Sequence, residues 1–357
     1  MHQDPPRATA RLGGPPSTQG RLITCEDPAW AALLSQAPHD FYHLTSYVDL
    51  SAKYEAGVAR AVLVEDGERT LLLPLIVRAV PGGGRDATSP YGFPGPIGKG
   101  LEDPAFVTAA FHEVRRVLEA EGIVSLFVRF HPLLNRVLPE GVGFVADHGG
   151  AVAVDLGQPP AVIWQQTRQN HRRQITRSIR FGHEVGFDET DAAFEAFKSL
   201  YRSTMRRLDA APYYSFDDTY FTRLRSAMGE RLRLAVVRIG KDVAAAGLFI
   251  EEDGIVEYHL SGTDERFAMF APTKLIVHFM TGWARERGNR WFHLGAGMGT
   301  PDDALLLFKS GFSPIRHRFR TLRMVIDRGE YVRLALEHDP SGAPARLDGY
   351  FPLYRQP

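Results

Sequence analysis

The sequence predicts an α+β protein in which an antiparallel meander feeds a helix, and three observations predict it. Apolar runs "LRLAVVRIG" (232–240), "DVAAAGLFIEE" (242–252) and "GIVEYHLSG" (254–262) are joined by the tight turns "GK" and "DG", the pattern of consecutive hairpins. Next comes "PTKLIVHFMTGWARERG" (272–288), with Pro272 at its start, Gly288 past its end and a wide apolar face of Leu275, Ile276, Phe279, Met280 and Trp283. A short strand "RWFHL" (290–294), a short helix through "DDALLLFKS" and a final strand pair around "HRFRTLRMVID" (317–327) complete the order β–β–β–α–β–α–β.

The remaining elements follow from the N-terminus. Residues 1–20, "MHQDPPRATARLGGPPSTQG", are rich in Pro, Gly and polar groups and have no apolar stretch of signal-peptide type, so a disordered leader is expected. "ARAVLVED" (59–66) and "RTLLLPLIVRAV" (69–80) read as two strands around "DGER". "DPAFVTAAFHEVRRVLEAEG" (103–122) reads as a helix with Asp103 as N-cap, Pro104 at its first position and a stripe of Phe106, Ala110, Val114 and Leu118. "IVSLFVRF" (123–130) is a buried strand, and "DATSPYGFPGPIGKG" (86–100) is a loop carrying two aromatics. In the second half, "DAAFEAFKSLYRSTMRRL" (191–208) has Phe194, Phe197, Tyr201, Met205 and Leu208 at helical spacing.

Composition excludes several classes. Lys+Arg and Asp+Glu both number 42, so no global basic field draws the chain to nucleic acid, and such binding requires a local patch. A single cysteine, Cys25, excludes a disulfide framework and a thiolate metal cage. No apolar run approaches the ~20 residues of a membrane span. A cytoplasmic protein of enzyme size is the expectation.

Gly295, Gly297 and Gly299 invite comparison with a nucleotide loop. The dinucleotide fingerprint fails in both registers, because Thr300 or Asp302 stands where its third glycine belongs. The glycines instead read as a connection where backbones pass closely.

The order of elements, closed by "LFKSGF" (307–312), resembles the GNAT acyltransferase fold, and more closely the Fem-type proteins with two tandem GNAT-like domains. "NHRRQITRSIRFGHEVGF" (170–187), "YRSTMRRLDAAPYYSFDDTYFTRL" (201–224), "AAAGLFI" (244–250) and "EYHLSGTD" (257–264) carry the resemblance over 157–327. "FYHLTSYVDL", "LPLI" and "SPYGFPGP" extend it over 40–155. It implies two domains, each a mixed, largely antiparallel sheet with flanking helices: 21–156 on the acceptor side, 157–332 on the donor side, and a tail at 333–357. It also implies a donor. GNAT enzymes hold coenzyme A on an Arg/Gln-x-x-Gly-x-Gly/Ala loop. Here "GTDERFAMFAPT" (262–273) has Met269 in place of the first glycine after Arg266, and Leu307 stands where many carry a tyrosine acid. Fem-type enzymes take an aminoacyl group from tRNA and join it to an amine. Aminoacyl-tRNA as co-substrate, a small-molecule amine acceptor (peptidoglycan precursor, amino sugar or antibiotic scaffold) and no bound cofactor are therefore expected. Acyl-coenzyme A transfer and a catalytically decayed binding module are the alternatives.

By the same resemblance Lys309, after the aromatic Phe308, lies by the reacting carbonyl. A fixed ammonium there stabilises the oxyanion of ester aminolysis; otherwise Lys309 only complements a helix end. Period two places Glu257, His259 and Ser261 on one strand face, opposite Tyr258 and Leu260. Glu257 or His259 is then a candidate base, or the set is an outer polar face. Phe308, Tyr258, Ser261, Tyr214, Tyr91, Tyr47 and Arg129 are candidate substrate contacts, although Tyr214 lies where the next helix is capped. Arg173, Arg177 and Arg180 fall on one helical face with Arg172 adjacent, read as a tRNA phosphate footprint or as a solvated basic face. The thirteen histidines show no ligand spacing, so no metal is expected.

Overall fold

The computed structural model describes residues 18–297, 303–340 and 347–356. The first half contains β1 (Gln19–Ile23), α1 (Pro28–Leu34), α2 (Thr45–Tyr54), β2 (Gly57–Asp66), β3 (Arg69–Ala79), β4 (Arg85–Thr88), β5 (Ile97–Lys99), α3 (Pro104–Ala120), β6 (Ile123–Arg129) and β7 (Phe144–Asp155). The second contains α4 (Pro160–Gln166), α5 (Gln169–Arg180), β8 (Glu184–Phe187), α6 (Asp191–Arg207), α7 (Asp218–Met228), β9 (Leu232–Ile239), β10 (Asp242–Glu252) and β11 (Ile255–Thr263). It ends with α8 (Pro272–Glu286), β12 (Trp291–Ala296), α9 (Ala304–Lys309), β13 (Arg316–Val325) and α10 (Arg328–His338).

Local chemistry explains the best-read elements. Asp103 accepts the Ala105 N–H at the start of α3, and Phe106, Ala110, Val114 and Leu118 are buried as their spacing demands. The β2–β3 turn closes at Asp66 opposite Arg69, with Gly67 in the left-handed region. Phe194, Phe197 and Tyr201 of α6 are buried, whereas Leu208 is its C-cap and faces water.

The thirteen strands among the described residues form one continuous sheet in the order β1-β2-β3-β4-β6-β13-β7-β12-β11-β10-β9-β8, with β5 on β3. Among the described residues only β4·β6 and β11·β12 are parallel pairs. The two halves thus repeat one plan: an antiparallel meander, a parallel pair, then a strand from the other half. β13 lies beside β6, and β7 lies beside β12. The final strand pair expected around 317–327 is instead a single long strand. Its partners are β6 and β7, because Leu322 and Met324 find their apolar neighbours in the core under α3 rather than locally. A cut at 156/157 therefore runs through a shared sheet.

Two other boundaries shift. Gln19 and Gly20, expected in the leader, belong to β1, while residues 1–17 lie outside the described ones. Helix α10 crosses from 332 into the expected tail, and Phe351 and Tyr354 beyond it pack with Val80, Val124 and Tyr331.

Candidate functional site

β11 and β12 pair only over Ile255–Glu257 and Trp291–His293. Beyond that point β11 follows β10 and β12 follows β7. The sheet therefore opens immediately after Glu257 and His293, and a buried polar cluster sits at the opening. His293 Nδ1 lies 2.6 Å from Glu257 Oε1, with both side chains shielded from water. Tyr42 donates its hydroxyl to Glu257 Oε2 at 3.4 Å. Asp40, which caps the short 3-10 turn Phe41–His43, accepts the Phe41 N–H at 2.6 Å and the His131 Nε2–H at 3.0 Å.

Burial, then the neighbouring Asp40, pushes Glu257 well above the usual carboxylate range. Burial, with His131 and Lys309 adding repulsion, pushes His293 well below the ordinary imidazole range. The His293 Nε2 has no hydrogen-bond partner although it is buried. Lys309 ends α9 with its side chain buried, and its ammonium donates to the Ala296 carbonyl at 2.7 Å. Burial lowers its pKa to about 8, against the opposing pull of Glu257 and Asp303. Gly295 makes room for it: φ is +82°, and a Cβ there would lie 3.2 Å from the Lys309 Nζ. That is what the glycine run does chemically at its first position; Gly299 lies outside the described residues.

Asp40, His131 and Glu257 place ligand atoms within 4.8 Å of one another, the spacing of a cation site. The histidine's tautomer argues against one. Backbone N–H groups of Leu133 and Leu134 point at His131 Nδ1, at 3.2 and 3.3 Å, so the ring proton resides on Nε2, where a metal would need a lone pair. The cluster reads as a proton-holding network.

Of the residues singled out from the sequence, Lys309 and Glu257 meet in this cluster. His259 lies outside it: it is walled by Phe41, Tyr47 and Tyr91, its Nε2 faces the Tyr220 hydroxyl at 3.4 Å, and burial lowers its pKa to about 3. The period-two assignment of β11 also fails beyond His259. A bulge opposite Leu248/Phe249 turns Leu260 into the core shared with Phe41 and Tyr47 and brings Ser261 round to Tyr258, whose hydroxyls are 2.5 Å apart. Phe308 packs on His171 and Phe312 instead of lining the opening. Tyr47 is fully buried and donates to the Tyr91 carbonyl, while Tyr91 and the exposed Tyr214 are in ring contact. Arg129 donates to the Ser89 and Pro90 carbonyls beside them. Arg172 is consumed within the fold, donating to the carbonyls of Trp164, Gln165 and Thr167 at the end of α4. Arg173, Arg177 and Arg180 line a hollow on the outer face of α5.

Asp40, Tyr42, His131 and His293 escaped the sequence reading. Each stands in an aromatic or apolar context ("HDFYH", "RFHPLL", "WFHL"). The one usable signal was a histidine inside an otherwise apolar strand, which requires a buried partner.

Comparison with known proteins agrees with the architecture. Residues 165–302 match the model of an acetyltransferase (GNAT) domain. No curated protein matches the sequence. Among solved structures, FemX superposes with a TM-score of 0.65 at 12% identity, covering 88% of this chain and 98% of that one. L-PGS from Bacillus licheniformis superposes at 0.53 with 12% identity, covering 89% and 95%. A protein of unknown function from Bacteroides thetaiotaomicron gives 0.52 at 12% identity, covering 85% and 98%. Residues 165–302 thus match a GNAT acetyltransferase domain, and the chain as a whole has the two-half fold seen in FemX.

Proposed function

We propose that this protein forms an amide by moving an aminoacyl group from the ester of an aminoacyl-tRNA to a small-molecule amine. The observation that carries the chemistry is the buried Lys309 beside the Glu257–His293 pair, where β11 and β12 part. The amine attacks the ester carbonyl, and the Lys309 ammonium meets the negative charge that develops on its oxygen. With Glu257 ionised, His293 keeps its proton on Nδ1 and offers the lone pair of Nε2 to the proton that the amine sheds. The new C–N bond replaces the C–O bond, and the ribose oxygen leaves as a hydroxyl after taking that proton.

The start of α8 supports the choice of donor. A phosphate cradle needs open backbone N–H groups at a helix N-terminus. Here the cap is Ala271 in the left-handed region, Pro272 removes one donor, and Thr273 is tied to Thr263 by its hydroxyl at 2.6 Å. Gly262, the one glycine of the loop, is packed against the backbone of Leu200 and Tyr201. Arg266 is paired with Asp264.

The GNAT domain match favours a second reading, an acyl-coenzyme A-dependent N-acyltransferase. One experiment separates them. Charged tRNA with a mixed amine pool should yield an RNase-sensitive amide product, and calorimetry should show no acetyl-coenzyme A binding. Micromolar coenzyme A affinity overturns the choice of donor.

A further inference from the structure

Helix α5 carries charge that no carboxylate among the described residues answers. Arg172 is spent on carbonyls, but no carboxylate among the described residues pairs with Arg173, Arg177 or Arg180. At 100° per residue these three form a ridge about 60° wide along one side of the helix. Phe181, 57% exposed, borders the ridge with the Arg177 guanidinium over its ring, and Ile179, 55% exposed, lies about 100° further round the helix from Arg180, on the side of the apolar groove. Phe181 touches the ring of Phe270, and the adjoining Met269 is 68% exposed.

On the Ile179 flank an apolar groove of about 470 Å³ runs between α4, α5 and α8, walled chiefly by Ile163, Trp164, Ile175, Phe279 and Trp283. Phe279 and Trp283, read from the sequence as part of a buried helix face, are thus only partly covered. Trp164 also borders the arginine hollow, so the apolar groove and the basic ridge are one continuous surface.

We infer that this face docks on an anionic lipid bilayer, the arginines meeting headgroup phosphates while Ile179, Phe181 and Met269 enter the interfacial layer. Cations fringing exposed apolar side chains are what such a surface recognises: the charges gain from the negative leaflet, and the apolar groups leave water. A nucleic acid would answer the arginines and could stack a base on Phe181, but it has no use for Ile179, Met269 or the groove beside them. The inference concerns a face outside the Lys309 cluster and does not rest on the choice of acyl donor.

The test is co-sedimentation of the full chain with phosphatidylcholine vesicles, with and without phosphatidylglycerol. Binding should require the anionic lipid and weaken with salt. Arg173→Ala with Arg177→Ala should lower vesicle affinity roughly thirtyfold, at the energy expected per cation near such a surface. Ile179→Ser with Phe181→Ser, which removes no charge, should lower it as well. All four side chains are partly or largely exposed, and circular dichroism checks that the variants fold. Absence of binding to anionic vesicles overturns the inference, as does binding indifferent to the Ile179 and Phe181 changes. So does loss of tRNA binding in the arginine variant without any vesicle binding, which makes the ridge a nucleic-acid footprint.

Discussion

Nδ1 of His293 stands 2.6 Å from Oε1 of Glu257 across the last rung of a parallel strand pair, and neither side chain meets water. Two groups that each resist charge are held together where the sheet divides, one pushed up as an acid and the other pushed down as a base. Lys309 is the cation whose field both of them feel.

Lys309→Ala should lower kcat by roughly 10²–10³, the usual cost of a lost oxyanion donor, and leave the donor KM nearly unchanged. Lys309→Arg should rescue little, because a planar fork cannot replace a compact ammonium in a buried site. A folded Lys309→Ala enzyme with wild-type turnover would refute the mechanism.

Turnover should be bell-shaped in pH. The basic limb belongs to Lys309, active while protonated, so rate falls as pH rises through about 8. The acid limb belongs to Glu257, active while ionised. Its raised pKa moves that limb above the ordinary carboxylate value of roughly 4.3. Lys309→Ala should abolish the basic limb in its residual rate, which a pH–kcat profile reads directly.

His293→Phe should fill the space while removing the base, lowering kcat by roughly 10²–10⁴. It also leaves the Glu257 carboxyl without its closest partner, at a cost of about 1–3 kcal/mol in stability. Thermal melts and steady-state kinetics separate the two effects. If kcat falls no further than the melting point explains, His293 is structural.

Gly295→Ala should damage the site from the backbone. Its φ of +82° is unfavourable for alanine by about 1 kcal/mol, and the new methyl would crowd the Lys309 ammonium at 3.2 Å. The expected result is a modest drop in melting temperature with a disproportionate loss of kcat. Equal losses would show that Gly295 serves the turn alone.

Expressing residues 1–156 and 157–357 separately should give insoluble or partly folded halves, because β13 completes the sheet beside β6 and β7 completes it beside β12. Co-expression should restore a soluble pair. A monomeric, cooperatively melting 157–357 fragment would contradict the exchange.

The second half was the more legible. Its meander and its capped helices announce themselves through local periodicity and turn chemistry, while Lys309 was singled out by the family resemblance, and the observed boundaries of β9, β10, β11 and α8 differ from the expected ones by a few residues at most. Where local logic broke, a local irregularity was responsible: the bulge at His259 and Leu260 turned Leu260 into the core and Ser261 to the face of Tyr258.

The sequence by itself determined the α+β class and the helices with their caps, because these are set by residues within a few positions of one another, whereas the approach of Lys309 to Gly295, 14 positions away, is tertiary. Only the tertiary structure decided the site. Asp40 and His131 come from the first half, Glu257 and His293 from two strands separated by a helix, and each is ordinary in its own neighbourhood. The exchange of β7 and β13 was equally invisible, since a strand's sequence reveals which face is apolar but not which distant edge it will complete. Burial supplied the rest: it moves the pKa values of Glu257, His293 and Lys309, and burial is a property of the packed chain.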